Sequence, residues 1–206
     1  FFTSRKIKIF GPDQFAAQLE GSKSFMKDLC NEHSIPTAQY EKFQNSDDAI
    51  KYLETQSYPI VIKADGLAAG KGVTIAEDFK TASIAVQDIF NAKFGENMDV
   101  VIEEFMNGEE ASYFICSDGK NFISLISAQD HKRIGENDTG PNTGGMGAYS
   151  PAPVFTENVK KQVDTEIIKP TLKAMLDKGH PFKGILYAGL MIENERAKLV
   201  EYNIRF

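Results

Sequence analysis

The stretch Lys63-Ala-Asp-Gly-Leu-Ala-Ala-Gly-Lys-Gly-Val73 combines three glycines with two lysines. Glycine lets the backbone approach an oxyanion closely and point N–H groups at it, and the lysines add positive charge on either side. The stretch therefore predicts a loop that covers phosphate groups. It is not a Walker A loop, because only three residues separate Gly66 from Gly70 and because Gly72 replaces the magnesium-binding Ser or Thr. On spacing alone, the alternative is a tight β-hairpin whose glycines serve only the turn.

Helices and strands alternate irregularly on both sides of this loop. Apolar residues at helical spacing, with Ser22 as N-cap, predict a helix over residues 22–33. Asp118-Gly119 indicates a hairpin turn. The mixture of helices and hairpins predicts an α+β architecture rather than a doubly wound parallel sheet. Further helices are predicted from residue 46 and over 78–92 and 157–178, and strands over 60–63, 73–76, 100–105, 111–117, 122–127, 185–192 and 197–204.

The composition is that of an ordinary folded protein, with 42% hydrophobic and 25% charged residues among 206. A net charge of −6 provides no general attraction for a nucleic-acid backbone, which argues against a nucleic-acid partner. Cys30 and Cys116 are far apart and have no ligand-forming neighbours, so the sequence argues against a disulfide framework or a structural zinc site and favours a reducing cytoplasm. No apolar run reaches the ~18 residues that span a bilayer, which argues against a membrane partner.

Two pairs of carboxylates lie in segment 101–111. Glu103 and Glu104 end a predicted strand, and Glu109 and Glu110 follow a glycine turn. Carboxylates accept hydrogen bonds from ribose hydroxyls, and the extended backbone after Glu103 can pair with the edge of an adenine ring. The segment is therefore a candidate nucleotide contact, and the alternative is a solvated acidic rim.

A long glycine-rich loop with little secondary structure is predicted over residues 129–153, and loops of this length are usually functional or disordered. Within it, Gln129-Asp-His-Lys-Arg133 groups basic side chains beside a carboxylate, as suits recognition of a phosphate or carboxylate. The alternative for this segment is a surface charge run. The segment Gly140-Pro-Asn-Thr-Gly-Gly-Met-Gly147 is so rich in glycine that ordering it without a ligand is entropically costly.

Polar residues alternate along the last predicted strand. Glu201, Asn203 and Arg205 share one face there, and Tyr202 and Ile204 share the other. A carboxylate and an amide oxygen two residues apart can hold one Mg²⁺, and the adjacent guanidinium can reach a phosphate bound to that ion. The alternative is a row of polar groups on an exposed sheet face.

Taken together and in this order, these segments resemble the ATP-grasp superfamily and, within it, the phosphoribosylamine-glycine ligases of purine biosynthesis. The matching stretches run from Gly21-Ser-Lys23 to Glu201-Tyr-Asn-Ile-Arg-Phe206 and cover nearly the whole chain. The resemblance implies an α+β ATP-grasp fold whose two α/β lobes, with mainly antiparallel sheets, clamp the nucleotide. It implies a small lid lobe over 35–103, a larger lobe over 22–34 and 104–206 that is truncated at its C-terminus, and a linker over 1–21. The N- and C-terminal flanking domains of the family are expected to be missing from this chain.

The resemblance also implies roles for individual residues, with ATP and Mg²⁺ (or Mn²⁺) as cofactors. Arg205 and Lys63 are the implied catalytic residues, and Glu201 and Asn203 are the implied metal ligands. The strand before them offers no further acidic ligand, so the expected metal set is smaller or is completed by water and phosphate. The implied ATP-binding residues are Lys23, Lys63, Gly66, Leu67, Gly70, Lys71, Gly72, Glu103, Glu104, Phe105 and Glu109, and the implied substrate-binding residues are Asp130, His131, Lys132, Asn142, Thr143, Gly144, Gly145, Met146 and Gly147.

The implied reaction is an ATP-dependent ligation of glycine to 5-phosphoribosylamine through glycyl phosphate, in the cytoplasm. This chain is expected to carry most of the nucleotide site and only part of the phosphoribosylamine site. One alternative is another ATP-grasp carboxylate-amine ligase or a carboxylase. The other is a non-catalytic nucleotide-binding module.

Overall fold

Two antiparallel sheets of four strands organise the chain, and each packs on its own hydrophobic core. The structure, a computed structural model, describes residues 3–66, 72–93, 95, 98–136 and 139–205. The helices are α1 (Gln18–Gly21), α2 (Lys23–Glu32), α3 (Ser46–Leu53), α4 (Phe79–Phe90), α5 (Glu157–Val163) and α6 (Lys169–Asp177). The strands are β1 (Tyr40–Phe43), β2 (Ile60–Ala64), β3 (Val73–Ala76), β4 (Val100–Glu104), β5 (Glu109–Asp118), β6 (Phe122–Ser124), β7 (Gln129–Asp130), β8 (Arg133–Gly135), β9 (Thr139–Asn142), β10 (Ala148–Tyr149), β11 (Lys183–Glu193) and β12 (Arg196–Arg205). The antiparallel pairing throughout both large sheets confirms the predicted α+β architecture.

Side-chain caps fix where the helices of the first half begin. The Ser22 hydroxyl accepts a hydrogen bond from the Phe25 amide at 3.1 Å, which confirms the predicted N-cap of α2. Asn45 caps α3 by accepting from the Asp48 amide at 2.9 Å. Each cap satisfies a backbone N–H group that has no partner inside its helix. None of the helices in the described part of the chain has the length and apolar character that a bilayer span requires.

The smaller sheet has the strand order β1-β4-β2-β3, and α3 and α4 cover one of its faces. Because side chains alternate along a strand, Ile62 packs in the smaller core and Lys63 lies on the opposite face. Cross-strand partners share a face, so Glu103 lies beside Val61, and Val73 lies beside Lys63, on that same opposite face. This face carries the charged residues of the candidate site.

Helix α4 supplies a test of the smaller core. Ile89 is 3% exposed in that core, whereas Ile84 on the same helix is 50% exposed. We expect Ile89→Ala to lower the free energy of unfolding by about 2–5 kcal/mol, because it removes buried methyl groups and leaves a cavity. The matched Ile84→Ala variant is expected to change it by no more than about 0.5 kcal/mol. Urea unfolding of the intact protein measures both, and equal losses would contradict the assignment of this core.

The larger sheet has the strand order β12-β11-β5-β6 and packs on α2, α5 and α6. Its core contains Tyr113, Phe182 and Tyr202. Ala16 and Leu19, which lie in the segment predicted as a linker, are also buried in this core. The larger unit therefore begins its packing before residue 22.

A π-helical turn, Asp164–Ile168, separates α5 from α6. The sequence predicts one helix here, interrupted at Pro170. Proline has no N–H group, so the α-helical hydrogen bond to the carbonyl of residue 166 cannot form and the helix widens just before Pro170.

A β-bulge interrupts the pairing of β11 with β12. Gly189 pairs with Glu201 and Leu190 pairs with Leu199, so Val200 is an extra residue on β12. Leu199 and Tyr202 both face the larger core, although alternation without the bulge would place them on opposite faces.

Short strands occupy the predicted long loop. β7 pairs with β10 and β8 pairs with β9, forming two small two-stranded ribbons. The prediction of little secondary structure over 129–153 was therefore wrong in this respect. Strands of two to four residues, several of them glycines, show no alternation that sequence reading could detect.

The two units are tied together where the chain enters the smaller one. The Leu199 amide donates to the Pro36 carbonyl at 2.7 Å, and the Thr37 hydroxyl donates to the Leu199 carbonyl at 2.7 Å. This contact joins β12 of the larger sheet to the segment that leads into β1.

Candidate functional site

A buried cluster of two lysines and one glutamate lies on the face of the smaller sheet that is opposite to its core. The ammonium groups of Lys63 and Lys27 lie 2.9 Å and 3.0 Å from the same Glu103 oxygen, Oε2. Lys27, Glu103 and Lys63 are only 0%, 2% and 6% exposed. The other carboxylate oxygen of Glu103, Oε1, is buried and has no hydrogen-bond partner among the described residues. The cluster therefore carries excess positive charge and one unused acceptor.

Sequence analysis missed Lys27 as a member of this cluster. Its position four residues after Lys23 puts both lysines on one face of α2, and this spacing was the available signal. Burial lowers the pKa of Lys27, and the carboxylate of Glu103 opposes that change.

Lys23, on α2 of the larger unit, contacts the smaller unit just after β2. Its ammonium donates to the Gly66 carbonyl at 2.9 Å. Burial and the positive charge of Lys63 lower the pKa of Lys23, and the carboxylates of Glu201 and Asp65 oppose the change. Lys23, Lys63 and Glu201 therefore act on one another electrostatically.

The loop predicted to cover phosphate groups is described only at its two ends. Gly66 has φ of 127°, a conformation that favours glycine. The Gly72 carbonyl accepts a hydrogen bond from the Ala64 amide at 2.8 Å. Leu67, Gly70 and Lys71 lie outside the described residues.

One cleft of about 280 Å³ receives side chains from both units. Lys63 and Val73 line it from the smaller sheet, and Tyr187 and Glu201 line it from the larger sheet. The lysine and the glutamate are far apart in the chain, and the fold brings them to one cavity. Sequence analysis had not included Tyr187, whose pKa is raised by burial.

A second cleft of about 450 Å³ adjoins the first and shares Glu110, Asp130 and Lys132 with it. The predicted nucleotide residues Phe105 and Glu109 line this second cleft. Glu109 accepts a hydrogen bond from the Gln129 amide at 3.3 Å.

Glu104 does not join the buried cluster. Its carboxylate pairs with Lys198 at 3.0 Å, and both side chains are substantially exposed. This exposed ion pair joins β4 of the smaller sheet to β12 of the larger sheet.

The two predicted substrate segments fold against each other. The Met146 amide donates to the His131 carbonyl at 2.7 Å, and the His131 amide donates to the Gly147 carbonyl at 2.9 Å. The Thr143 amide donates to the Lys132 carbonyl at 2.6 Å. Gly144 and Gly145 complete this turn, and Asp130 lies so close to Gly145 that a Cβ there would come within 3.3 Å of its carboxylate. Asn142 lies in β9, but its side chain is outside the described part of the structure.

Lys132 carries a charged contact at the junction of the two clefts. Its ammonium donates to Glu110 at 2.7 Å. Burial opposes the charge of Lys132, but the carboxylate of Glu110 raises its pKa above the ordinary value, and Tyr187 and Glu201 contribute in the same direction. A cation is therefore maintained beside Glu201.

Glu201, Asn203 and Arg205 form a hydrogen-bonded row along β12. The Asn203 amide donates to Glu201 Oε1 at 3.0 Å, and the Arg205 guanidinium donates to Asn203 Oδ1 at 3.3 Å. The row is consistent with the predicted alternation. Glu20 holds its far end by accepting from the Ile204 amide at 2.7 Å and by lying 3.7 Å from the Arg205 guanidinium.

The row contains the two predicted metal ligands, Glu201 and Asn203. The described residues contain no group of three or more His, Cys, Asp or Glu side chains that could hold a metal ion. In this structure Asn203 Nδ2 faces Glu201 Oε1, and Asn203 Oδ1 accepts from Arg205, so the amide would present its oxygen beside the carboxylate only after a half-turn about its side-chain bond. With that rotation, the carboxylate and the amide would supply two oxygen ligands of the kind that Mg²⁺ prefers.

Comparison with known proteins assigns a family model to nearly the whole chain. Residues 21–206 match the model described as phosphoribosylglycinamide synthetase, ATP-grasp (A) domain. The chain is 55% identical over 201 residues to the phosphoribosylamine–glycine ligase of Agrobacterium fabrum, covering 97% of this chain and 48% of that protein. The chain spans about half the length of the curated relatives it matches.

Solved structures resemble the fold as well. The crystal structure of phosphoribosylamine–glycine ligase from Thermotoga maritima has a TM-score of 0.88 at 35% identity, covering 96% of this chain and 50% of that one. The D-alanine–D-alanine ligase of Bacillus anthracis, crystallised with ATP, has a TM-score of 0.69 at 19% identity over 98% of this chain and 62% of its own. At that identity the second likeness concerns the fold alone.

Proposed function

The chain belongs to the phosphoribosylglycinamide synthetase ATP-grasp family, and on this basis we propose that the intact protein uses ATP to ligate glycine to 5-phosphoribosylamine. The products would be glycinamide ribonucleotide, ADP and phosphate, in purine biosynthesis. The named relatives, which are phosphoribosylamine–glycine ligases, support this substrate assignment. The proposed location is the cytoplasm, and the free cysteines Cys30 and Cys116 are consistent with it.

The observation that carries the proposal is the shared cleft of Lys63 and Glu201. A polyphosphate chain needs cations on one side, and a magnesium ion held by carboxylate and amide oxygens suits the other. Lys63 and Lys23 would supply the cations on one side of the polyphosphate. Glu201 and Asn203 would hold the magnesium ion on the other side. When bound there, the ion would neutralise phosphate charge and orient the phosphates.

The proposed nucleotide contacts follow from the family resemblance. Glu103, Glu104 and Phe105 would lie at the adenine, and Glu109 at the ribose, which is consistent with the lining of the second cleft by Phe105 and Glu109. A ligase of similar fold has been crystallised with ATP, which is compatible with a nucleotide ligand for this fold. Lys23, Lys63 and the loop with Gly66, Leu67, Gly70, Lys71 and Gly72 would cover the phosphates.

The proposed chemistry has two steps. A carboxylate oxygen of glycine attacks the γ-phosphorus of ATP, the bond to the β-phosphate oxygen breaks, and ADP leaves. The amine of phosphoribosylamine then attacks the carbonyl carbon of glycyl phosphate, the C–O bond to phosphate breaks, and the nitrogen gives up a proton. Arg205 and Lys63 would neutralise charge on the transferred phosphoryl group.

The acceptor side of the site would be built by the folded substrate segments. Asp130, His131, Lys132 and the loop with Asn142, Thr143, Gly144, Gly145, Met146 and Gly147 would hold the acceptor and exclude water from the acyl phosphate. The backbone hydrogen bonds between these two segments support their action as one unit.

We also propose two lobes around the cleft. The small lid lobe would span 35–103, and the larger lobe 22–34 and 104–206. The smaller core, whose buried members fall between Ala49 and Ile102, supports the first assignment. Residues 1–21 would lead from an N-terminal domain of the intact protein, and flanking domains would complete the phosphoribosylamine site.

Lys63→Met tests the phosphate contact. We expect the affinity for ATP to fall by about 10–100-fold, because a charge-assisted hydrogen bond to phosphate is worth about 1.5–3 kcal/mol. Glu103 keeps Lys27 as its partner, so the variant should remain folded. Calorimetry with the intact protein measures the dissociation constant.

The matched control is Lys42→Met, which removes an exposed lysine of the same sheet that pairs with Asp28. Its affinity for ATP should not change. If Lys63→Met also binds ATP normally, the assigned phosphate contact is wrong.

Substrate dependence tests the reaction. We expect the intact protein to release ADP at a steady rate only when both glycine and phosphoribosylamine are present, because without the amine the glycyl phosphate stays in the site. Release that requires bicarbonate instead would assign a carboxylase. If no carboxylate substrate stimulates ADP release, the protein would instead be a non-catalytic nucleotide-binding module.

A further inference from the structure

The Oε1 oxygen of Glu103 is buried and accepts no hydrogen bond from the described residues. A buried carboxylate oxygen without a hydrogen-bond donor is energetically unfavourable, so such atoms usually meet a donor supplied by a ligand or by water. Both lysines of the cluster approach Oε2, which leaves Oε1 available. The arrangement divides the carboxylate into an anchored oxygen and a free one.

The free oxygen lies on the cleft side of the smaller sheet. Glu103 shares its sheet face with Lys63, Val73 and Ile75, which line the two clefts, whereas the opposite face is packed in the smaller core. The following residue but one, Phe105, also lines the second cleft. Glu103 itself lines neither cleft as the structure stands, so its side chain lies behind the cleft walls that these neighbours form, on the side from which a bound molecule would approach.

The two lysines that contact Oε2 differ in how many other hydrogen bonds they make to the protein. The Lys27 ammonium donates to Thr37 Oγ1 at 2.9 Å and to the Ala38 carbonyl at 3.2 Å, in addition to its contact with Glu103. Its three N–H donors are thus all used by the protein. Lys63 has only Glu103 as a hydrogen-bond partner among the described residues, so two of its donors remain for a phosphate.

A phosphate that attracts Lys63 competes with Glu103 for the same ammonium group. Without a second anchor, the carboxylate would lose its orientation at the moment the nucleotide binds. Lys27 supplies that anchor, because its other two contacts are with the protein itself. Thr37 in turn is fixed to the Leu199 carbonyl at 2.7 Å.

We propose that Lys27 is a positioning residue for base selection: it holds Glu103 Oε2 so that Oε1 accepts a hydrogen bond from the 6-amino group of adenine. This inference rests on the proposed function, in which Glu103 lies at the adenine. Lys27 itself touches no substrate atom. A 6-oxo purine offers no donor at that position and places an oxygen against the carboxylate.

The test compares ATP with ITP, which carries a 6-oxo group, by calorimetry on the intact protein. The wild-type protein is expected to bind ATP more tightly. Lys27→Met is expected to reduce the preference for ATP over ITP by about tenfold, through weaker ATP binding, because a hydrogen bond to a charged group is lost. The variant leaves Lys63 and Glu103 as a one-to-one ion pair, so it should fold. If it does not, Lys27→Gln replaces it.

The matched control is Met26→Ala, which removes a buried side chain of α2 that packs in the larger core and accepts from the Cys30 thiol. It should lower stability and leave the ATP-to-ITP ratio unchanged. A Lys27→Met protein that discriminates as well as wild type, or that loses ATP and ITP affinity equally, overturns the positioning role. A wild-type protein without any preference for ATP overturns the adenine contact of Glu103 instead.

Discussion

Arg205→Ala is expected to lower kcat by about 10²–10³-fold while ATP binds with nearly unchanged affinity. The guanidinium lies at the end of the Glu201, Asn203 row, with its Nη2 3.3 Å from Asn203 Oδ1. It would neutralise charge that develops on the phosphoryl group during transfer, so its loss affects the transition state more than the bound nucleotide. Steady-state kinetics and calorimetry on the intact protein separate the two effects.

Arg196→Ala is the matched control for this prediction. Arg196 lies on the same strand, is exposed, pairs with Glu166 at 3.0 Å, and lines neither cleft. Its removal should leave kcat unchanged. The strand end keeps its anchor in Arg205→Ala, because Glu20 still accepts from the Ile204 amide. An Arg205→Ala protein with wild-type turnover would falsify the proposed catalytic role and favour a non-catalytic nucleotide-binding module.

Glu103→Ala is expected to lower the free energy of unfolding by about 3–5 kcal/mol in the absence of nucleotide. The substitution leaves Lys27 and Lys63 buried, close together and without their shared carboxylate. Two like charges in a low-dielectric setting repel each other and lose the partner that offset their desolvation. Urea unfolding of the intact protein measures the loss.

Glu104→Ala provides the comparison on the same strand. Glu104 pairs with Lys198 at the surface, where such ion pairs contribute at most about 1 kcal/mol. Adding Lys27→Met to Glu103→Ala should recover part of the stability, since one unpaired charge is removed. Equal effects of Glu103→Ala and Glu104→Ala would show that the buried cluster is not a significant stabilising unit.

Local patterns predicted much of this molecule. The N-cap of α2 at Ser22, the strands that flank the phosphate loop, and the alternation of Glu201, Asn203 and Arg205 all depend on residues that are neighbours in the chain. The candidate site residues were found because glycine-rich and charged segments stand out locally. Their convergence on one cleft required the resemblance to a family, since periodicity alone does not pair Lys63 with Glu201.

Sequence patterns did not predict the features that depend on residues far apart in the chain. Lys27 looks like an ordinary helical lysine until β4 brings Glu103 to it from far along the chain. The ribbons β7–β10 and β8–β9 are set by backbone hydrogen bonds between glycine-rich segments, which have no side-chain signature. The widened turn before Pro170 follows from one missing N–H group, whose effect the sequence indicates only as an interruption.

The extra residue Val200 changes which alternate side chains of β12 face the core. Before it, the odd-numbered Ala197 and Leu199 are buried in the core, and after it the even-numbered Tyr202 is. A strictly alternating strand that buried Leu199 would bury Glu201 as well. The presence of a residue at position 200 therefore matters more to the facing of Glu201 than the kind of side chain found there.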